Sequence, residues 1–410
     1  MQNFLRESLE SCLIGVRRPP PTMSAAEASL RGGRARRVLF IQATEPAGYP
    51  PLIHASSLMA EAEWEVTFLS APIAGSPLEL PHNPRIMRQA IPARPSHVMG
   101  KAAYARYAAV AARLALRVRP EIVYASDPLG AGPGLLAARL SRARLVYHEH
   151  DSPASGSLHP LLARARAAAA RRAQLVIFPN EARARTAQTE LGFSADRLRI
   201  VWNMPSRAEL PSLEGRTEAP LVLYYHGSIT PDRLPLAVVE AVRRLRGRTS
   251  LRIAGYEAPG AAGYIQRMLE LGDGSDSPGV VHYVGQVPQR AELVTTAAQA
   301  HIGLALIPCH GNDVNLDHMT GASNKPFDYM AAGLALLVSD RPDWRDMFVA
   351  PGYAQACDPT DPASIATALA WFLDHPAERR AMGANCRAKI EAEWNYDSAF
   401  APVMSALLHG

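Results

Sequence analysis

The sequence predicts an α/β protein made of two doubly wound, Rossmann-like domains in tandem, facing each other across a cleft. Three observations carry this expectation. The chain has 410 residues, too many for one ordinary core, and that length favours two domains. Short apolar runs alternate with helical periodicity, the pattern of parallel sheets covered on both faces. The alternation breaks once, at residues 206–220 (SRAELPSLEGRTEAP), a polar stretch with prolines and no period, and then resumes. We therefore expect an N-terminal domain over 36–207 and a C-terminal domain over 217–394, with the site in the cleft at the carboxyl ends of the strands.

The elements follow in order. RRVLFIQAT (36–44) is an apolar run ending in TEPAGYPP, dense in proline and glycine; LIHASSLMAEAE has helical spacing and WEVTFLSAP reads as a second strand. AYARYAAVAARLALRVR is helical, EIVYASD a strand, GPGLLAARLSR a helix and ARLVYHEHD a strand. The half closes with the helix HPLLARARAAAARRA, the strand QLVIFPN, the helix EARARTAQTELG and the strand LRIVWNMP. Beyond the break come strand LVLYYHGSI, helix LPLAVVEAVRRL, strand SLRIAGYE, helix AAGYIQRMLELG, strand VVHYVGQV and helix RAELVTTAAQA. Strand HIGLALIPC, helix KPFDYMAAG, strand LALLVSD and helices from 361 onward complete the chain.

Composition excludes several classes. At 48% hydrophobic and 20% charged residues the chain is globular rather than disordered, and no run of about 18 apolar residues suggests a spanning helix. The formal net charge is +5, but residues 1–37 hold seven arginines against three glutamates and supply +4 of it. The remainder is nearly neutral and lacks basic runs interleaved with aromatics, which argues against a nucleic-acid partner. We read residues 1–35 as a flexible, solvated, arginine-rich extension without a signal-peptide n-region, in which Met23 is an alternative start. Cys12, Cys309, Cys357 and Cys386 show no C-x-x-C spacing, so free thiols in a reducing cytoplasm are expected. The arginines of the helices at 101–119 and 159–172 alternate with alanine and lack an aromatic face; solvated faces, with at most peripheral membrane contact, are expected.

The chemistry centres on ASNKPFDYMAAG (322–333). Only three of the 43 Lys and Arg residues are lysines, and one of them, Lys325, falls where a helix begins, opposing the positive end of the helix dipole. Pro326 suits the first turn, Gly333 the position after the helix, and Phe327, Met330 and Ala331 its buried face. Asp328, three residues on, can leave the same helix end towards the cleft, so that Lys325 meets a phosphate and Asp328 accepts from ribose hydroxyls; the alternative is a surface ion pair. In LVLYYHGSITPDRLP the apolar strand is expected to end at His226, Gly227 permits close backbone approach, and Arg233 starts a helix near Leu234, again a cation facing an anion site. An ordinary tight turn with a solvated arginine is the alternative there. VYHEHDSP puts His148 and His150 on one face of a strand and Glu149 on the other. Metal ligation finds no matching spacing elsewhere, HGNDVNLDH (310–318) lies in the other domain, and a polar loop anchor is the alternative. No D-x-D triplet suggests a chelated metal.

Over residues 36–405 these segments resemble the retaining GT-B glycosyltransferases of family 4, which use nucleotide sugars. SNKPFDYMAAGLALLVSD is similar to their donor-binding signature S-N-K-x-F-E-Y-M-A-A-G-x-P-V. YYHGSITPDRLPLAVVEAV is similar to their phosphate loop, HYVGQV to a strand near the base, and VYHEHDSP to a first-domain segment. EWNYDSAFAPVMSALL resembles the C-terminal helix, here 395–410, that crosses back onto the first domain.

The resemblance implies transfer of a sugar from a nucleoside diphosphate to an acceptor hydroxyl or amine, with retention and without a metal or other cofactor. Arg233 and Lys325 would be the diphosphate ligands, Asp328 the ribose ligand and His150 the residue beside the transferred sugar. It adds Gly227, Ser228, Gly285, Thr320 and Asn324 to the donor contacts, and places Gly48 and Tyr49 in the loop facing donor and acceptor. The acceptor would be a small molecule, a glycan or a lipid-linked sugar. Three positions depart from the pattern: Thr320 stands at the first glutamate of the family's E-x7-E motif, Asp328 at the second, and Ala335 at a usual proline. Two other readings stand beside this one. A sugar-nucleotide epimerase or hydrolase of the same fold would need a further acid/base pair, and the sequence offers no obvious pair of carboxylates. A non-catalytic nucleotide-sugar-binding partner protein would tolerate Thr320.

Overall fold

The computed structural model describes residues 35–71, 78–92, 100–154, 156–217, 219–245, 247–258, 260–273, 280–309 and 314–409. The expected extension (Ala35 apart), Met23, Cys12 and residues 310–313 lie outside them. Residues 36–410 form one compact unit built on two sheets.

The first sheet has seven strands: β1 (Arg37–Gln42), β2 (Glu65–Ser70), β3 (Ile86–Ala90), β4 (Ile122–Ser126), β5 (Arg144–His148), β6 (Leu175–Phe178) and β7 (Leu198–Ile200). They pair in parallel in the order β3-β2-β1-β4-β5-β6-β7. The second has six, β8 (Leu221–Ile229), β9 (Thr249–Glu257), β10 (Val281–Gly285), β11 (Ile302–Ala305), β12 (Ala335–Ser339) and β13 (Ala354–Cys357), parallel in the order β10-β9-β8-β11-β12-β13. Chain order reverses between β1 and β4 and between β8 and β11. Those switch points are where open α/β sheets leave a crevice for ligands.

Two strands escape the sequence reading. Ile86–Ala90 is an edge strand with four of its five residues exposed, so it carries no apolar run; Ala354–Cys357 is only four residues long. The predicted surface helices also need one correction. Arg166, in Pro160–Arg172, is buried, and its Nε and Nη2 each meet a carboxylate oxygen of buried Glu149 at 2.7 Å.

The helix Tyr396–His409 packs on the first half, where Tyr396, Phe400, Val403 and Leu407 join Val38, Phe40, Trp64 and Tyr124 in one core cluster. Each such side chain contributes about 1.5–3 kcal/mol by leaving water. The segment around 315–322 also reaches the first half. Asn180 Nδ2 donates to the carbonyls of His318 and Thr320 at 2.9 Å, and Asn315 exchanges hydrogen bonds with the backbone of Ser152.

Gly303 in β11 decides where the Lys325 helix lies. A Cβ there would come within 2.2 Å of the Tyr329 ring, so the helix Lys325–Ala331 rests directly on strand backbone, and all of Pro326–Ala331 is buried rather than one face. Gly303→Ala should therefore overpack this contact and cost about 1–3 kcal/mol, measured as a lower denaturant midpoint with unchanged slope.

Candidate active site

β8 carries the site's floor. The strand does not end at His226 but continues to Ile229, with Gly227 inside it at φ +108°. Its partner in β9 is Gly255, where a Cβ would lie 1.9 Å from the Gly227 carbonyl oxygen, so the two backbones meet at a point no side chain can enter. Lys325 fills the room above. A Cβ at Gly227 would sit 3.4 Å from Lys325 Nζ, and that amine lies 5.4 Å from the centre of the Tyr225 ring. Among the described residues it forms no ion pair or hydrogen bond. Burial first, then the nearby Arg233 guanidinium, lowers its pKa to about 7, more than Asp328 restores.

Arg233 is not the start of a helix. It sits in the turn after β8, its amide donating to Thr230 O at 3.1 Å, and the helix begins at Leu236. Its Nη1 donates to Ser228 Oγ at 2.8 Å, which keeps the guanidinium beside Lys325. Two cations thus share one corner without an anion between them.

Asp328 is not open to solvent, and the i,i+3 pair with Lys325 is not made. It is fully buried, and its carboxylate takes Arg290 Nη1 at 3.1 Å and Nη2 closer still, Asn324 Nδ2 at 2.7 Å and His226 Nε2 at 3.1 Å. Burial alone would raise its pKa; Arg290 and the His226 hydrogen bond outweigh that and hold it well below the usual carboxylate range. His226 is kept neutral, because burial lowers its pKa more than Asp328 raises it. From Arg290 the network runs on to Glu209 Oε1 at 3.0 Å, and Glu209 Oε2 meets His54 Nε2 at 2.8 Å. It joins the second half, the linker and the helix Pro50–Glu61 of the first. The sequence reading missed Arg290, Glu209 and His54. Arg290 carried the same signal as Lys325, a cation as the first residue of a helix (Arg290–Ala297).

The remaining candidates are placed as follows. Gly285 ends β10 at φ +86°. Thr320 donates from Oγ1 to Asp343 Oδ2 at 2.6 Å. Gly48 closes a 3-10 turn, Pro46–Gly48, and Tyr49 follows with its ring 5.4 Å from that of His150. His150 is buried, with Nε2 3.1 Å from Ser126 Oγ; burial drops its pKa to about 3, so it is a neutral dipole. His148 lies on the same side, ring to ring at 3.9 Å, with Nδ1 2.7 Å from Tyr124 Oη. Burial of the Tyr49 hydroxyl, then Asp127 and more weakly Asp151 and Tyr256 of β9, raises its pKa.

Two parallel doubly wound sheets with a cation pair at one switch point and a histidine loop at the other define a sugar-transferase architecture, and comparison with known proteins agrees. The model described as Glycosyltransferase Family 4 matches residues 52–204, and one described as Glycosyl transferase-like matches 236–405. A search of curated protein sequences finds no match. Among solved structures, sucrose-phosphate synthase from Thermosynechococcus elongatus superposes with TM-score 0.66 at 16% identity, covering 91% of this chain and 98% of that one. Anabaena HepE in complex with UDP and glucose gives 0.66 at 13%, covering 91% and 99%. A UDP-N-acetylglucosamine 2-epimerase gives 0.56 at 14%, covering 92% and 97%. The chain belongs to the GT-B glycosyltransferases, with a family 4 N-terminal half. It is an enzyme of sugar transfer.

Proposed function

We propose that the protein moves a sugar from a nucleoside-diphosphate donor to an acceptor hydroxyl or amine, with retention at the anomeric carbon and no metal. The observation that carries this is the corner of Lys325 and Arg233, two cations held together over the Gly227 backbone with no carboxylate between them. A diphosphate leaving group gains charge as the glycosidic bond breaks, so fixed cations there stabilise the transition state more than the ground state. In this reading neutral His150, with the Tyr49 ring 5.4 Å from its own, supplies a dipole for the sugar from the first half. The ribose contact assigned to Asp328 is replaced in this reading by a positioning role, since its carboxylate is already engaged by Arg290, Asn324 and His226. A nucleotide-sugar donor fits with HepE having been captured with UDP and glucose. Cys309, Cys357 and Cys386, free thiols, fit a reducing cytoplasm.

The test is calorimetry and thermal shift with UDP-, GDP-, ADP- and TDP-sugars, with and without chelator. The matching nucleotide should raise the melting temperature equally in both. Binding should also take up protons above neutral pH, because a phosphate returns Lys325 from about 7 towards its ordinary value. The sign is fixed: the free amine is increasingly deprotonated above that pH and the bound one is not. Binding without proton uptake, or binding that needs a metal, would overturn the assignment. Consumption of donor without any acceptor, giving an epimeric sugar nucleotide, would favour the epimerase reading.

A further inference from the structure

Asn180 and Arg183 stand at the start of the helix Glu181–Leu191, which follows β6, and both are buried. Asn180 Oδ1 caps the helix by accepting the Arg183 amide at 2.9 Å, so the two side chains leave one helix end together. What they hold is backbone from both halves. Arg183 donates from Nη1 to the His150 carbonyl at 2.9 Å, from Nη2 to that of Asn315 at 2.8 Å and from Nε to that of His318 at 3.1 Å. Asn180 Nδ2 donates to the carbonyls of His318 and Thr320. Asn203, after β7, takes the next two: its amide meets Gly321 O at 2.8 Å and its Nδ2 meets Ala322 O at 2.6 Å. The segment 315–322 thus belongs to the second half by sequence and to the first by hydrogen bonding, and it runs directly into Asn324 and Lys325. Burying a guanidinium against neutral carbonyls costs it hydration that they only partly replace. Asp151 stands 3.5 Å from Nη1 but is itself largely exposed, a weak counter-charge. The sequence reading took this helix as a plain one and missed both residues.

We propose that Arg183 is a positioning residue of the transfer, with Asn180 as its support: it fixes His150 of the first half against the segment 315–320 of the second, so that the sugar is held between two walls at a set separation. This rests on the sugar-transfer reading above, in which His150 stands beside the sugar and Thr320 occupies the position of a sugar contact. The histidine is held three times, its ring Nε2 by Ser126 Oγ at 3.1 Å, its amide by Asp127 Oδ1 at 2.8 Å and its carbonyl by Arg183. Thr320 is held twice, its carbonyl by Asn180 and its hydroxyl by Asp343. Neither Lys325 nor Arg233 enters these bonds, so the diphosphate corner and the walls of the sugar site are set by separate contacts. The fork is what the task needs. Three nitrogens in one plane reach three carbonyls, whereas a lysine keeps the charge but presents its donors from a single nitrogen. Displacing a group by about 1 Å from its place at the reacting centre can lower the rate by about 100-fold.

The experiment uses the full chain and the sugar nucleotide that binds best from the four above. Calorimetry gives the affinity for it and for the nucleoside diphosphate alone, and slow hydrolysis of the sugar nucleotide gives turnover. Arg183→Lys should lower turnover by about 10- to 100-fold and weaken the sugar nucleotide about tenfold more than the nucleoside diphosphate, whose affinity stays within about threefold of wild type. The binding comparison stands even where hydrolysis is too slow to read. Combining Arg183→Lys with His150→Ala should lower turnover by less than the product of the two single effects, because the lysine variant has already displaced the histidine; a role in folding alone would not couple them in this way. Asn180→Ser keeps the helix cap, removes the donor to His318 and Thr320, and should shift turnover and the two affinities in the same pattern by about tenfold; it carries the test if Arg183→Lys does not fold. Turnover and sugar-nucleotide affinity within about threefold of wild type, a loss shared equally by sugar nucleotide and nucleoside diphosphate, or effects of Arg183→Lys and His150→Ala that multiply in full each overturn the proposal while leaving the donor assignment intact. A wild-type protein that neither binds nor consumes any of the four sugar nucleotides overturns both.

Discussion

Lys325→Ala is expected to weaken nucleotide binding by about ten- to a hundredfold and to lower turnover by a further hundredfold or more, because a charge-assisted contact to phosphate is worth about 1.5–3 kcal/mol in the ground state and more where charge develops. Calorimetry and product release separate the two effects. The same variant is expected to be no less stable than wild type. In the ligand-free protein Lys325 is a partly desolvated amine beside another cation, which is why its pKa falls to about 7. A lysine lowered in the folded state binds fewer protons there than when unfolded, so wild-type stability should rise with pH from about 7 to the ordinary lysine value, and Lys325→Ala should lose that slope. Arg233→Ala should weaken binding in the same direction and bring the Lys325 pKa back up, whereas Arg233→Lys should restore only part of the affinity, since a point charge cannot both hold Ser228 and present a fork to a phosphate. A Lys325→Ala protein with near-normal turnover would remove the cation corner from the mechanism.

Arg290→Ala should be the most destabilising single change at the site. It strands Asp328, which is fully buried, and Glu209, and removing one partner from a buried charge network costs about 3–5 kcal/mol. The double variant Arg290→Met with Asp328→Asn should lose less than the two single changes added together, which a double-mutant cycle in denaturant measures. The pH dependence has a definite sign. Asp328 is depressed in the folded state, so its contribution is present above the unfolded carboxylate value and disappears as pH falls towards the folded one. Wild type should therefore lose stability on acidification more steeply than Arg290→Met/Asp328→Asn. Equal acid sensitivity in the two proteins would mean that the pair is not what holds this corner.

Most of the architecture was legible because its signals are local. Apolar runs such as LVLYYHGSI need burial on both faces, and that run is the whole of β8. The edge strand Ile86–Ala90 was not legible, since a strand with one neighbour and four exposed residues has no reason to be apolar. At the site, the misplaced charge of Lys325 could be read from the helix that follows it. The destination of Asp328 could not, because spacing within a helix says which residues are neighbours and nothing of an arginine 38 positions away that takes the carboxylate inward.

The helix Tyr396–His409 has a consequence for how the protein is made. Its Tyr396, Phe400, Val403 and Leu407 complete the core beneath the first sheet, although every strand of that sheet is synthesised almost two hundred residues earlier. On the ribosome the leading half must wait, with an apolar seam open, while the trailing half is translated. That seam closes only once the helix has been made and has packed against the sheet.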